Sequence, residues 1–223
     1  MSTVMITGAN RGIGLELARK FRAEGHDVIA TARDPGRADA LKETGAEVHA
    51  LDIADPASVT ALKETLGERP IDILVNNAGV GDFADLSSVD FDKFARILEV
   101  NTIAPVRIIR TFKDNVLAGD TRLIASLSSN MGSIENTTAS YGLAYRVSKA
   151  GLNMALRAAA TELADEGITL LTLHPGWVQT DMGGENAPVK PAESAAGLYR
   201  VITSAEPARE LRFLDFEGHT RPW

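Results

Sequence analysis

The sequence predicts an α/β fold, a doubly wound parallel sheet with helices on both faces. Three observations carry that prediction. Short Val/Ile/Leu-rich runs alternate with amphipathic stretches along nearly the whole chain. Most of these runs are continuously apolar rather than alternating, as expected of strands covered on both faces. A glycine-rich turn joins the first run to the first amphipathic stretch, so a helix N-terminus opens directly after a strand.

The strand candidates are Thr3–Thr7, Asp27–Ala32, Glu47–Leu51, Ile71–Asn76, Thr121–Ser126, Thr169–His174 and Leu211–Asp215. Between the first two, Leu15–Glu24 sets Leu15, Ala18 and Phe21 at helical spacing. Ser58–Leu66 begins after Asp55-Pro56, a helix-start signal. Phe91–Phe112 and Tyr145–Asp165 are the long helical stretches, and Ala192–Thr203 is the last. Such alternation requires crossovers that lay helices on both sides of the sheet. Gly183–Lys190, with its glycine pair, Asn186 and Pro188, reads as a surface loop or flexible flap. No repeat or linker divides the chain, and 223 residues suit one large domain, so 1–223 is expected to fold as a unit.

Composition narrows the function classes. A net charge of −7 without a dense Lys/Arg cluster argues against nucleic acid or an anionic membrane as partner. The absence of cysteine excludes disulfides, thiolate catalysis and cysteine-ligated metals. There is no signal-peptide pattern and no apolar run near the roughly 18 residues that span a bilayer. No metal-ligand cluster and no G-x-S-x-G elbow are present, which sets aside metal-assisted and serine hydrolysis. The expectation is a cytoplasmic protein acting on a small molecule without a metal.

Three segments carry chemistry. In Thr7-Gly8-Ala9-Asn10-Arg11-Gly12-Ile13-Gly14 the glycines permit a tight turn and close approach of backbone to a pyrophosphate, beside helix N–H donors. The second strand ends Ala32-Arg33, without the terminal acid that would bond a ribose 2′-hydroxyl. Arg33 and Arg11 instead suit a 2′-phosphate, although Asp34 stands one residue further on. The second segment is Tyr145-Arg146-Val147-Ser148-Lys149, whose ends share one helix face. A free tyrosine has a pKa near 10, too high for a base at neutral pH, and a neighbouring ammonium lowers it. The third is His174-Pro175-Gly176-Trp177-Val178-Gln179-Thr180, where Pro-Gly forces a turn after a strand. His174 is one of four scattered histidines and reads as structural; Tyr141 lacks a lysine four residues on and reads as pocket wall or core.

The G-x-x-x-G-x-G turn, Asp52-Ile53 after strand three, Asn76-Asn77-Ala78-Gly79, Asn101, Leu127-Ser128-Ser129, Tyr145/Lys149 and Pro175-Gly176 occur in an order that resembles the short-chain dehydrogenase/reductase family. The segment from Asp215-Phe216-Glu217-Gly218 through Pro222-Trp223 resembles its C-factor subgroup. The resemblance covers nearly the whole chain. It implies a Rossmann domain with a seven-stranded parallel sheet, and a carbonyl or alcohol substrate exchanging hydride with NADP(H), NAD(H) being the other cofactor.

By the same resemblance Asn101, Ser129, Tyr145 and Lys149 form the catalytic set. Ser129 would bond the substrate oxygen, with Ser128 the competing choice. Lys149 would also hold the nicotinamide ribose, and Asn101 would support a water on Lys149 through a distortion of its helix. Asp52 and Ile53 would meet the adenine, or Asp52 would simply cap a turn. Asn77, Ala78 and Gly79 would line the cofactor, and Pro175, Gly176, Val178 and Thr180 would pass the nicotinamide. Trp177 suits either the site wall or a structural position. Sixteen positions separate Ser129 from Tyr145, so Ile134–Ser140 is where the pocket wall is expected to differ. Pairing into a homodimer or homotetramer through the long helices is a further implication. The C-factor likeness also leaves open a nucleotide-sensing role on the same fold, against which the complete catalytic set speaks.

Overall fold

Every strand candidate becomes a strand in the computed structural model, which describes residues 1–223, with boundaries moved by at most two residues. These are β1 (Thr3–Ile6), β2 (Asp27–Ala32), β3 (Glu47–Ala50), β4 (Ile73–Asn76), β5 (Leu123–Leu127), β6 (Thr169–His174) and β7 (Arg212–Asp215). They form one seven-stranded sheet in the order β3-β2-β1-β4-β5-β6-β7, and every pairing is parallel. Met5 of β1 lies between Ile29 of β2 and Leu74 of β4. The strand order reverses between β1 and β4, and a crevice opens at such a switch point beyond the strands' carboxyl ends.

Strand alternation divides the core. Val4, Ile6, Val28, Ala30, Ile73 and Val75 face one apolar cluster, which α1 (Gly12–Ala23) closes with Leu17, Ala18 and Phe21 and α7 (Pro191–Thr203) with Ala195, Leu198 and Ile202. Met5, Ile29, Leu74 and Ile124 face the other, under α3 (Pro56–Leu66), α5 (Ala104–Leu117) and α6 (Leu143–Asp165). Both α3 and α7 begin with a proline, which needs no N–H partner there. A four-residue helix, α2 (Asp39–Lys42), and a 3₁₀ turn at Pro35–Arg37 add to the expected elements.

The stretch expected as one helix from Phe91 to Phe112 is interrupted. It runs as α4 (Phe91–Leu98), a π-helical segment (Glu99–Ile103) and α5. The Ala104 N–H bonds the Glu99 carbonyl five residues back. Pro105 lacks the N–H that an α-helix would send to the Asn101 carbonyl, so the distortion expected at Asn101 has a covalent cause. No helix is long and apolar enough to cross a membrane.

Candidate functional site

A cleft of about 1380 Å³ lies over the carboxyl ends of the central strands. All the residues assigned from sequence to cofactor binding line it. At one end the glycine turn leaves β1. Gly8 and Gly12 have φ of +65° and +57°. A Cβ on Gly14 would lie 2.4 Å from Asn77 Nδ2 and 2.7 Å from the Gly8 carbonyl oxygen. That closeness lets Asn77 Nδ2 donate to the carbonyls of Thr7 (2.8 Å) and Gly8 (2.9 Å), while Thr7 Oγ1 accepts from the Asn77 and Ala78 N–H groups. Helix α1 begins with no side-chain cap and no acidic residue in its first turn, so its donors and dipole face the cleft uncompensated.

At the end of β2, Ala32 is buried and Arg33 lines the cleft together with Arg37. The Asp34 carboxylate accepts the Gly36 N–H at 2.9 Å and caps the 3₁₀ turn, while the residue also lines the cleft. Asp52 caps its turn, its carboxylate accepting the Ala54 N–H at 3.0 Å, and it also lines the cleft beside Arg96, whose Nη2 is 3.8 Å away. Arg11 pairs with Asp181.

At the other end stand the residues expected to react. Lys149 is buried on α6, and its ammonium donates to the Leu127 carbonyl at 2.8 Å. It lies 5.8 Å from the centre of the Tyr145 ring, and Phe83 covers that ring from 5.7 Å. The two serines after β5 part company. Ser128 donates to Asn153 Oδ1 at 2.6 Å, turned into α6, while Ser129 accepts the Met131 N–H at 3.1 Å and neighbours the Tyr145 hydroxyl. Asn101 does not line the cleft. Its Oδ1 accepts the Val80 N–H (2.9 Å), and its Nδ2 donates to the Val80 carbonyl (2.8 Å) and Ser148 Oγ (3.0 Å). It thereby clamps the Asn77-Ala78-Gly79 loop to α6.

Beyond β6, Gly176 turns with φ +89° and Thr180 closes over the glycine turn, its Cγ2 3.2 Å from where a Gly12 Cβ would be. Gly183–Lys190 is a loop, but a stitched one. Gln179 bonds the Val189 and Ala187 carbonyls at 2.9 and 2.8 Å, and Val178 bridges Val189.

An open helix N-terminus facing a buried tyrosine and lysine across one cleft is the layout of a dinucleotide-dependent redox site. The family model described as short chain dehydrogenase matches residues 2–190. The chain belongs to that family. It is 42% identical over 155 residues to the C-signal protein of Myxococcus xanthus, covering 69% of this chain and 93% of that one. It is 33% identical over the full length of both chains to 1-hydroxy-2-glutathionyl-2-methyl-3-butene dehydrogenase of Rhodococcus sp. strain AD45. A solved carbonyl reductase of Pseudomonas aeruginosa PAO1 in complex with NADP superposes with a TM-score of 0.87 at 36% identity, covering all of both chains. The Rossmann sheet and the kinship with a C-factor-like protein are as the motifs implied.

The donor set of this short-chain dehydrogenase fits a nicotinamide dinucleotide: uncapped N–H groups suited to a pyrophosphate, a glycine turn packed too closely on Ala78 and Asn77 to admit a Cβ, and exposed arginines at the end of β2. The electrostatics at the reactive end depart from the simplest expectation. Tyr145 is pushed up to about 12 by burial, opposed by the Ser129 hydroxyl, and Lys149 is pulled down to about 8 by burial. The Lys149 ammonium bonds the Leu127 carbonyl rather than the phenol oxygen, and burial prevails at Tyr145. Tyr145 is therefore a phenol, a proton donor, throughout the neutral range. His174 is pulled down to about 4, by burial first and then the nearby Arg221, with Asp215 opposing. It lines the cleft, its Nδ1 accepting the Asn130 N–H at 3.2 Å.

Tyr141 proves to be pocket wall, stacked on Phe83 at 5.6 Å, and Trp177 lines the same end with its Nε1 on the Gly183 carbonyl. Arg37, Arg96, Phe83, Met131 and Met182 also line the cleft and were not found from sequence. Only Arg37 had a local signal, a second arginine in the Pro35-Gly36 turn next to Arg33.

Proposed function

We propose that this short-chain dehydrogenase is an NADP(H)-dependent carbonyl reductase, moving a hydride between nicotinamide and a carbonyl or secondary alcohol, with Tyr145 as general acid/base. The observation that carries the reading is the convergence of Ser129, Tyr145 and Lys149 at one end of a cleft whose other end is the open glycine turn.

Bound NADPH supplies the hydride. Tyr145, kept protonated by burial, gives its proton to the alkoxide oxygen in reduction and accepts one in oxidation. The Ser129 hydroxyl donates to the same oxygen and stabilises charge developing there. Lys149 would favour the phenolate left behind and would hold the nicotinamide ribose. The Asn101 carbonyl, deprived of an α-helical partner by Pro105, would hold a water that returns a proton to Lys149.

Gly8, Asn10, Arg11, Gly12, Ile13 and Gly14 would hold the pyrophosphate side, Asp52 and Ile53 the adenine, and Asn77, Ala78 and Gly79 the backbone of the cofactor. Pro175, Gly176, Val178 and Thr180 would flank the nicotinamide. NADP is favoured over NAD because Arg33 follows a buried Ala32 and lines the cleft together with Arg37. The NADP complex of the Pseudomonas reductase supports the same choice. The apolar side chains exposed on and near α5 and α6, Ile103, Val106, Val147 and Met154, support a homo-oligomer, which sedimentation of the purified chain would test.

Fluorescence titration with NADPH and NADH, followed by absorbance with a panel of aldehydes, ketones and diketones, tests the reading. Preferential NADPH binding with carbonyl turnover is expected. Binding without turnover on any member would favour a sensor, and binding of neither cofactor would overturn the reading.

A further inference from the structure

After β7 the chain turns back on itself. Asp215, almost wholly buried, accepts the N–H groups of Glu217 (3.0 Å) and His219 (2.9 Å), and Gly218 turns with φ +93°. The returning strand bonds β7 through Asp215 N–H to the His219 carbonyl and Arg221 N–H to the Phe213 carbonyl. The Trp223 ring stacks 5.4 Å from that of buried Phe213. This short hairpin delivers residues 221–223 to the segment that follows Ser129.

Arg221 Nη2 donates to Asn130 Oδ1 at 2.9 Å, an oxygen that also accepts from Asn136 Nδ2 at 3.1 Å. The Trp223 backbone oxygen accepts Ser133 Oγ (3.1 Å) and the Glu135 N–H (3.3 Å). From β6, His174 Nδ1 accepts the Asn130 N–H. The residue next to Ser129 is thus tied at its backbone by β6 and at its side chain by the tail. Asn130–Gly132 is a single 3₁₀ turn, a geometry with poor internal hydrogen bonding, so its placement depends on such outside ties. A displacement of about 1 Å at a reacting group can cost roughly 100-fold in rate.

We propose that Arg221 is a positioning residue, which fixes the Ser129 hydroxyl by holding Asn130, with residues 216–223 as the strap that carries it. The proposal rests on the carbonyl-reductase reading for its kinetic consequence, but not for its structural one. Arg221→Met, Arg221→Lys, Asn130→Ala and the Arg221→Met/Asn130→Ala double variant test it. The readouts are kcat, KM for the best carbonyl of the panel, the NADPH Kd and hydrogen exchange over residues 130–136.

For Arg221→Met the expected result is a kcat lower by roughly 10- to 100-fold, an NADPH Kd within about twofold of wild type, and faster exchange in that segment. Arg221→Lys should recover part of the rate. The double variant should be little slower than Asn130→Ala alone, since Arg221 acts on the turn through Asn130, while its other contact, an ion pair with Asp215 at 3.8 Å, lies outside the turn. Unchanged kcat in Arg221→Met, unchanged exchange, or losses that multiply in the double variant would overturn the proposal. Should the wild-type chain reduce no carbonyl, the reductase reading fails by itself, and the exchange data still decide whether Arg221 holds the turn.

Discussion

At the glycine-turn end the cleft is lined by backbone donors and exposed arginines; at the Tyr145 end it is backed by buried side chains that satisfy one another. Arg11 is two-thirds exposed, and Arg33 is exposed at the end of β2. Lys149, Ser128, Asn101, Asn153 and Ser148 are all buried, each with a hydrogen-bond partner in the interior. The first end can thus change its ligand preference with little effect on the fold. At the second, chemistry and stability share the same contacts, because removing one partner strands another buried polar group.

The contrast should break most visibly at Lys149. Lys149→Met is expected to lower carbonyl turnover by about 10³-fold or more, given the usual worth of positioned acid–base groups, and to weaken NADPH binding as well. A variant with normal kcat would separate Lys149 from the chemistry. Since burial holds this lysine near 8, wild-type kcat should also decline as the pH rises past that value. At the other end, Arg33→Ala should weaken NADPH by roughly 10- to 100-fold, one or two charge-assisted bonds, with little change in NADH affinity or melting temperature. Parallel losses for the two cofactors would refute the 2′-phosphate assignment.

A smaller effect tests how far the buried network reaches. The folded-state value of His174, about 4, lies below its unfolded value near 6.5. Between those values the unfolded chain binds a proton that the folded chain does not. The contribution of His174 is therefore fully present above pH 6.5 and is lost as the pH falls towards 4. At about 1.4 kcal/mol per pKa unit, its ceiling is about 3 kcal/mol. Urea midpoints measured from pH 7 to 4 should fall less steeply in His174→Asn than in wild type; equal slopes would assign the acid sensitivity to other groups.

The same contrast explains what could be read from the sequence. The glycine turn, the Asn76–Gly79 segment and the Tyr145/Lys149 pair each lie within a few residues, where turn geometry and helix spacing act locally. The break at Asn101 was expected from the family resemblance and because asparagine suits a helix interior poorly, whereas its cause, Pro105 four residues later, emerged with the structure. The tie between Arg221 and Asn130 was not, because 91 positions separate them and only the sheet brings β7 beside the end of β5 through β6. Nor could the raised Tyr145 be read locally. Spacing puts Lys149 beside it, but the depth of burial and the competing Leu127 carbonyl belong to the tertiary structure.

The most direct test compares Tyr145→Phe with wild type on the same carbonyl, following NADPH oxidation and the NADPH Kd in parallel. The proposed role of Tyr145 predicts a loss of turnover of about 10²- to 10⁴-fold with the Kd nearly unchanged. Undiminished turnover in Tyr145→Phe would contradict it, and the proton would have to come from elsewhere in the cleft.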